Sequence, residues 1–165
     1  MSKLLLLIIN LDLGPGPRRE LAKTEPAMSK TIITFGTYDC LHKGHVRIFE
    51  RIKEDFPGCR LVVGVSSDAL NYSKKGRYPV ISEKDRMYMC AAVKYVDEVF
   101  VEESLEKKAE YCDKYGAVCL VMGDDHLGKF DWVTEATEGR CSVKYLERTP
   151  SVSTTAIIEK AASLS

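Results

Sequence analysis

The chain has no surplus of either charge: 24 Lys and Arg stand against 24 Asp and Glu, for a formal net charge of zero and a pI of about 6.8. That balance removes any bulk electrostatic case for nucleic acid or an anionic membrane, so a basic site must be local. No Cys-x-x-Cys pair occurs. The six cysteines stand at 40, 59, 90, 112, 119 and 141 and the three histidines at 42, 45 and 126, which gives no zinc-like spacing. Scattered thiols in an enzyme-sized chain point to a reducing compartment, and so to the cytoplasm, with most cysteines acting as small apolar packers. Cys40 lacks an assured cationic activator, which argues against a reactive thiol there. The apolar run from Leu4 to Ile9 is broken by Asn10 and Asp12 and is too short to span a bilayer, so no membrane insertion is expected. Internal repeats are absent, and Trp132 is the single tryptophan.

What is present is enough for one domain: 165 residues, of which 45% are hydrophobic. The amino-terminal stretch differs from the rest. Gly14, Pro15, Gly16, Pro17, Arg18 and Arg19 form a turn-rich linker, and Met-Ser-Lys occurs at 1–3 and again at 28–30. The second copy directly precedes the first strand-like run. The expectation is that residues 28–165 form the functional domain and that residues 1–27 are a poorly ordered extension or a start-site artefact.

Beyond residue 28, short β-branched runs alternate with amphipathic segments. Strands are predicted at 31–35, 60–66, 98–101, 117–122 and 142–146. Helices are predicted from about Lys43, from Ser67 and Asp68, after a Ser82 cap, over 104–115 with Ser104 as cap and Lys107 and Lys108 exposed, over 131–138, and over 154–162. Residues 71–79 (NYSKKGRYP) read as a mobile basic loop, and Gly64 inside a strand marks a close approach of other chain. Such alternation specifies an α/β fold, a Rossmann-like doubly wound sheet of about five parallel strands with helices on both faces.

His42, Lys43, Gly44 and His45 form an HxGH tetrad between the first strand and the first helix. Ligands of open α/β sheets bind at the carboxyl ends of strands, where helix starts offer free N–H groups to anions. Two imidazoles there make a compact donor site for a nucleotide's phosphates. The bland alternative is that His42 caps the helix and His45 is a satisfied, half-buried ring. Both readings stay open on the tetrad alone.

Three ordered segments, FGTYDCLHKGH at 35–45, VMGDDHLGKFD at 121–131 and RTPSVSTTAI at 148–157, with KYVDE at 94–98, resemble the cytidylyltransferase family of HxGH nucleotidyltransferases. The likeness runs over about residues 29–160 and is strongest to members acting on glycerol 3-phosphate. Class I aminoacyl-tRNA synthetases share the tetrad, but Met28, Ser29 and Lys30 precede it, the wrong order for their second signature, and no anticodon-binding part fits. In the cytidylyltransferase family the acceptor's phosphate attacks the α-phosphorus of CTP and pyrophosphate leaves. The attacking oxygen is already anionic near neutral pH, so catalysis must come from positioning and charge stabilisation.

The resemblance implies catalytic roles for His42, His45, Lys74 and Arg148. It implies nucleotide contacts from Thr37, Tyr38, Lys75, Arg77, Thr149, Ser153, Thr154 and Thr155, with Tyr38 lending a backbone or hydroxyl donor. Asp39, Lys74, Arg86, Lys108, Asp124 and Asp125 are implied on the acceptor side. Mg²⁺ would be carried by the CTP triphosphate, with no protein metal ligand, and a homodimer is implied. Pro150 and Ser151 depart from the family pattern of an acidic residue and a glycine. Alternatives remain: phosphocholine or phosphoethanolamine as acceptor, for which Tyr72, Tyr78, Tyr88 and Tyr95 are the aromatic candidates; adenylyl transfer; or an idle nucleotide-binding module. A truncation beginning at Met28 is expected to unfold cooperatively at the full-length chain's urea midpoint; loss of the cooperative transition would contradict that domain boundary.

Overall fold

The computed structural model describes residues 29–147, 149–150 and 153–164, so the expectation for residues 1–27 lies outside the described residues. Five parallel strands, β1 (Thr31–Gly36), β2 (Arg60–Ser66), β3 (Glu98–Glu102), β4 (Ala117–Gly123) and β5 (Ser142–Leu146), form one sheet in the order β3-β2-β1-β4-β5. Six helices accompany them among the described residues: α1 (Lys43–Asp55), α2 (Asp68–Lys75), α3 (Glu83–Ala91), α4 (Lys108–Tyr115), α5 (Trp132–Ala136) and α6 (Thr154–Ala162), with a 3₁₀ turn at Asp124–His126.

Alternation within each strand feeds two cores. Ile32, Leu61, Val63, Val65 and Val121 pack with Phe49 and Ile52 of α1 and Cys90 of α3. Ile33, Val62 and Leu120 point the other way, against Tyr111 and Cys112 of α4 and Val133 of α5. The chain winds outward through β1, β2 and β3, then α4 carries it back to β4 on the far side of β1. The direction therefore reverses between β1 and β4, and their carboxyl ends frame the crevice that such sheets use for ligands.

The structure corrects three expectations. Residues 71–75 are helical, not loop: α2 continues to Lys75 and ends at Gly76 in the left-handed region (φ 66°). Asp68 in the first turn and Lys74 and Lys75 in the last suit the helix dipole, and the Asn71 amide donates to the carbonyls of Ser66 (3.1 Å) and Ser67 (2.9 Å). Ser104 does not cap α4. Its hydroxyl accepts from the Glu106 backbone N–H at 3.2 Å, which turns the chain before the helix starts at Lys108. Lys108, expected to be exposed, is only 1% accessible and pairs with buried Glu102.

Gly64 makes room for aromatic rings. A Cβ there would fall inside van der Waals distance of Phe35 and lie 2.9 Å from Phe100. Phe35 cannot retreat, because Phe100 and Tyr111 flank it and the Lys108 ammonium sits 3.7 Å from its ring centre. Gly64→Ala is expected to destabilise the fold by roughly 1–3 kcal/mol, the usual range for overpacking. Urea denaturation checks it, and an unchanged midpoint would contradict the close approach.

Candidate active site

The turn between β1 and α1 is strained and tied down. Tyr38 (φ 54°) and Cys40 (φ 46°) both lie in the left-handed region, unusual for residues with side chains. The Asp39 carboxylate accepts from the backbone N–H groups of Val80 and Ile81, each at 2.9 Å, and of Cys40 at 3.1 Å. Its carbonyl accepts from the Thr154 hydroxyl at 2.9 Å. The Thr37 hydroxyl donates to Asn71 at 2.7 Å, and buried Arg86 donates to the carbonyls of Thr37, Ser66 and Ile81. Burial and the adjacent Asp39 carboxylate push the Cys40 thiol up, away from thiolate chemistry.

The two histidines cap α1 with each other. His42 is the N-cap in extended geometry, and its Nδ1 accepts from the Gly44 N–H at 3.1 Å, while His45 Nδ1 accepts from the His42 N–H at 3.4 Å. This is a capping box built from imidazoles. An Nδ1 that accepts leaves the ring proton on Nε2, so in both rings the bonding fixes the Nε2–H tautomer. The rings stack with centroids 3.8 Å apart and planes 18° apart. Burial, then the neighbouring His42, pulls the His45 pKa down to about 4, against a smaller opposing effect of Asp39. His45 is therefore a neutral N–H donor at neutral pH, not a general acid.

A cavity of about 440 Å³ opens above the switch point, with His42 and His45 in its wall. Most residues expected at the site line it: Thr37, Tyr38 and Asp39 from the first turn, Lys75 and Arg77 from the end of α2 and beyond, Asp125 after β4, and Thr149, Ser153, Thr154 and Thr155 around the start of α6. Two of the α6 hydroxyls have structural partners, since Thr154 holds the Asp39 carbonyl and Ser153 accepts from the Ala156 N–H at 3.1 Å. Arg148 lies outside the described residues, as does Ser151.

Several expected contacts are placed elsewhere. The Tyr38 hydroxyl is buried near that of Thr34, and its ring props the edge of His45 at 5.3 Å, so no phenolic donor faces a ligand. The Asp39 carboxylate is engaged by three backbone N–H groups, which makes it a tie between the turn and the segment before α3. Arg86 is 1% accessible, and its guanidinium is spent on carbonyls and on Asp68 at 2.6 Å. Lys108 is buried with Glu102, and burial pulls its ammonium below the ordinary lysine value. Neither cation lines the cavity, nor do Lys74 and Asp124. Burial, reinforced by Lys75 and Arg86, also lowers the Lys74 pKa against the pull of Glu102.

Sequence reasoning missed Asn71, Arg51 and His126, all of which line the cavity. Arg51 was findable: His45, Ile48 and Arg51 recur every third residue on one face of α1. Its guanidinium holds the Glu147 carbonyl at 2.6 Å, next to the Arg-Thr pair. Asn71 carried no local signal, because its partner Thr37 is remote in sequence.

The chain matches the cytidylyltransferase-like family over residues 33–160. It is 39% identical over 135 residues to glycerol-3-phosphate cytidylyltransferase of Bacillus subtilis, covering 82% of this chain and 99% of that protein. The Staphylococcus aureus protein of the same name is 37% identical over 128 residues, covering 78% of this chain and 92% of the relative. A lipopolysaccharide core biosynthesis protein from Thermoplasma volcanium shares the fold, with a TM-score of 0.61 at 19% identity over 74% of this chain and 98% of its own.

The histidine pair also sets a pH dependence. His45 titrates at about 4 when folded, against 6.5 for an unperturbed imidazole, so the unfolded chain binds the proton more readily across that window. Stability from neutral His45 is complete above that range and is expected to fall as pH drops through it. His45→Asn offers an amide oxygen in place of Nδ1 and should flatten this acid limb in urea titrations. An unaltered limb in the variant would contradict the assignment.

Proposed function

Since the chain belongs to the cytidylyltransferase-like family, we propose that it transfers CMP from CTP to glycerol 3-phosphate, giving CDP-glycerol and pyrophosphate. An acceptor phosphate oxygen bonds to the α-phosphorus, and the bond from that phosphorus to the oxygen bridging to the β-phosphate breaks. No base is needed, because the nucleophile arrives as an anion. The observation that carries the reading is the imidazole capping box in the cavity wall, whose Nε2–H groups suit the charge that builds on the transferring phosphoryl. Lys75 and Arg77 on one side, and Thr149 and the α6 start on the other, would hold the triphosphate, a task the family resemblance also gives to Arg148.

CTP enters as its magnesium complex. Hard Mg²⁺ keeps several waters and binds phosphate oxygens readily, so it needs no dedicated protein cage. Asp125, in the cavity wall after β4, is assigned to the acceptor side. We place the enzyme in the cytoplasm as a homodimer. The exposed Tyr72 and Tyr78, ring centres 4.7 Å apart and tilted by 30° beside the cavity, support a subunit contact there, and no helix among the described residues is long and apolar enough to cross a membrane.

Pyrophosphate release measured across the four nucleoside triphosphates, with Mg²⁺ and a panel containing glycerol 3-phosphate, phosphocholine and phosphoethanolamine, tests the proposal. CTP with glycerol 3-phosphate is expected to be the best pair; silence across the panel would favour an idle module. His42→Asn should keep the cap, since Asn is a strong N-cap residue, yet lose about a hundredfold or more in turnover.

A further inference from the structure

His126 has no part in the mechanism above, yet it belongs to the cavity wall. It closes the 3₁₀ turn directly after β4, at the carboxyl edge where the sheet reverses direction, and its side chain is 40% accessible. Resting on the function just proposed, we propose that His126 reads the free hydroxyl groups of the acceptor, selecting a phosphorylated polyol from the β4 side of the cavity.

The residue sits in a built frame. Its Nε2 lies 3.8 Å from Asp125 Oδ2, and its ring centre lies 5.7 Å from that of Phe130, which is itself buried over the Lys108 ammonium. The His126 carbonyl accepts from the Lys129 N–H at 2.9 Å, and Lys129 Nζ reaches back to the Asp125 carbonyl at 3.1 Å. The Asp125 carboxylate leans back over Gly123, where a Cβ would meet its Oδ1 at 2.6 Å. A carboxylate and an imidazole thus stand side by side on a turn that closes on itself.

Chemistry decides what such a pair recognises. The groups facing His126 are Asp125, Lys129, Lys108 and Lys74; burial and the three cations lower its pKa, against the pull of Asp125. A neutral imidazole offers one donor and one acceptor, and a carboxylate offers acceptors only. Phosphate would seek cations, whereas an alcohol both donates and accepts. With the acceptor's phosphate directed to the α-phosphorus, its carbinol end is what remains for Asp125 and His126. At this turn a trimethylammonium end would meet the like charges of Lys129, Lys108 and Lys74.

Steady-state kinetics on His126→Phe and His126→Asn test the assignment. In the Phe variant the KM for glycerol 3-phosphate should rise about tenfold, the worth of one lost hydrogen bond. Its KM for CTP and its kcat should stay within about twofold of wild type. Propyl phosphate, which lacks free hydroxyls, should be used equally by both enzymes, and the Asn variant should recover part of the selectivity. An unchanged acceptor KM in a folded Phe variant, an equal loss on propyl phosphate, or a loss falling on CTP would overturn the proposal. Should wild type prefer another phosphorylated polyol, the function proposed above fails and the same comparison on that acceptor decides His126. A wild type that turns over no acceptor overturns both.

Discussion

Three separate pieces of chain meet at Asp39, and the site exists because they do. Its carboxylate gathers the N–H groups of Val80 and Ile81 from the segment before α3, and its carbonyl takes the hydroxyl that opens α6. Residues on both sides of it are left-handed, at a cost of about 1–3 kcal/mol each. Hydrogen bonds to a charged group contribute roughly 1.5–3 kcal/mol each, and the carboxylate accepts three, enough to hold the strained turn. An unsatisfied carboxylate in the wall would also repel a triphosphate. Spending it on amides brings the three walls together, and the amide dipoles offset part of that repulsion.

The turn delivers the histidines, and there the helix cap and the proposed donation to phosphate use different atoms of the same rings. Nδ1 of each is committed to the start of α1, and that commitment places the ring proton on Nε2. The structural and functional readings of the tetrad are therefore not rivals. A cap made by serine would stabilise the helix equally well but would present no second donor. Stacking two cationic rings 3.8 Å apart would be costly, so the pair favours neutral donors over acid catalysts.

How far the sequence could be read followed the range of the interactions involved. Strand and helix positions rest on local periodicity, and β2, β5 and α6 fall where the pattern puts them. The caps at Ser82 and Ser153 are local too, and both form. Interactions that close over long stretches were not legible. The Thr37 to Asn71 bond and the Asp39 contacts with Val80 and Ile81 span dozens of residues, so residues 71–75 looked like loop, and Asp39 and Arg86 looked like ligands. Lys108 looked exposed because its partner, Glu102, belongs to the preceding strand and turns it inward.

Those buried ions shape the field that a substrate meets. A charge removed from water must be paired, and losing one partner typically costs about 3–5 kcal/mol. Lys108 has Glu102, which also accepts from Ser66 at 2.6 Å, and Arg86 has Asp68 as well as its carbonyls. Each pair nearly cancels at a distance, so neither cation supplies much potential to the cavity. Attraction for a triphosphate has to come from cations in the wall, such as Lys75 and Arg77, whose charges no buried carboxylate neutralises among the described residues. Buried cations with matched anions set the shape of the floor, and wall cations set its affinity for phosphate. This division explains how a chain of zero net charge can offer a locally basic site.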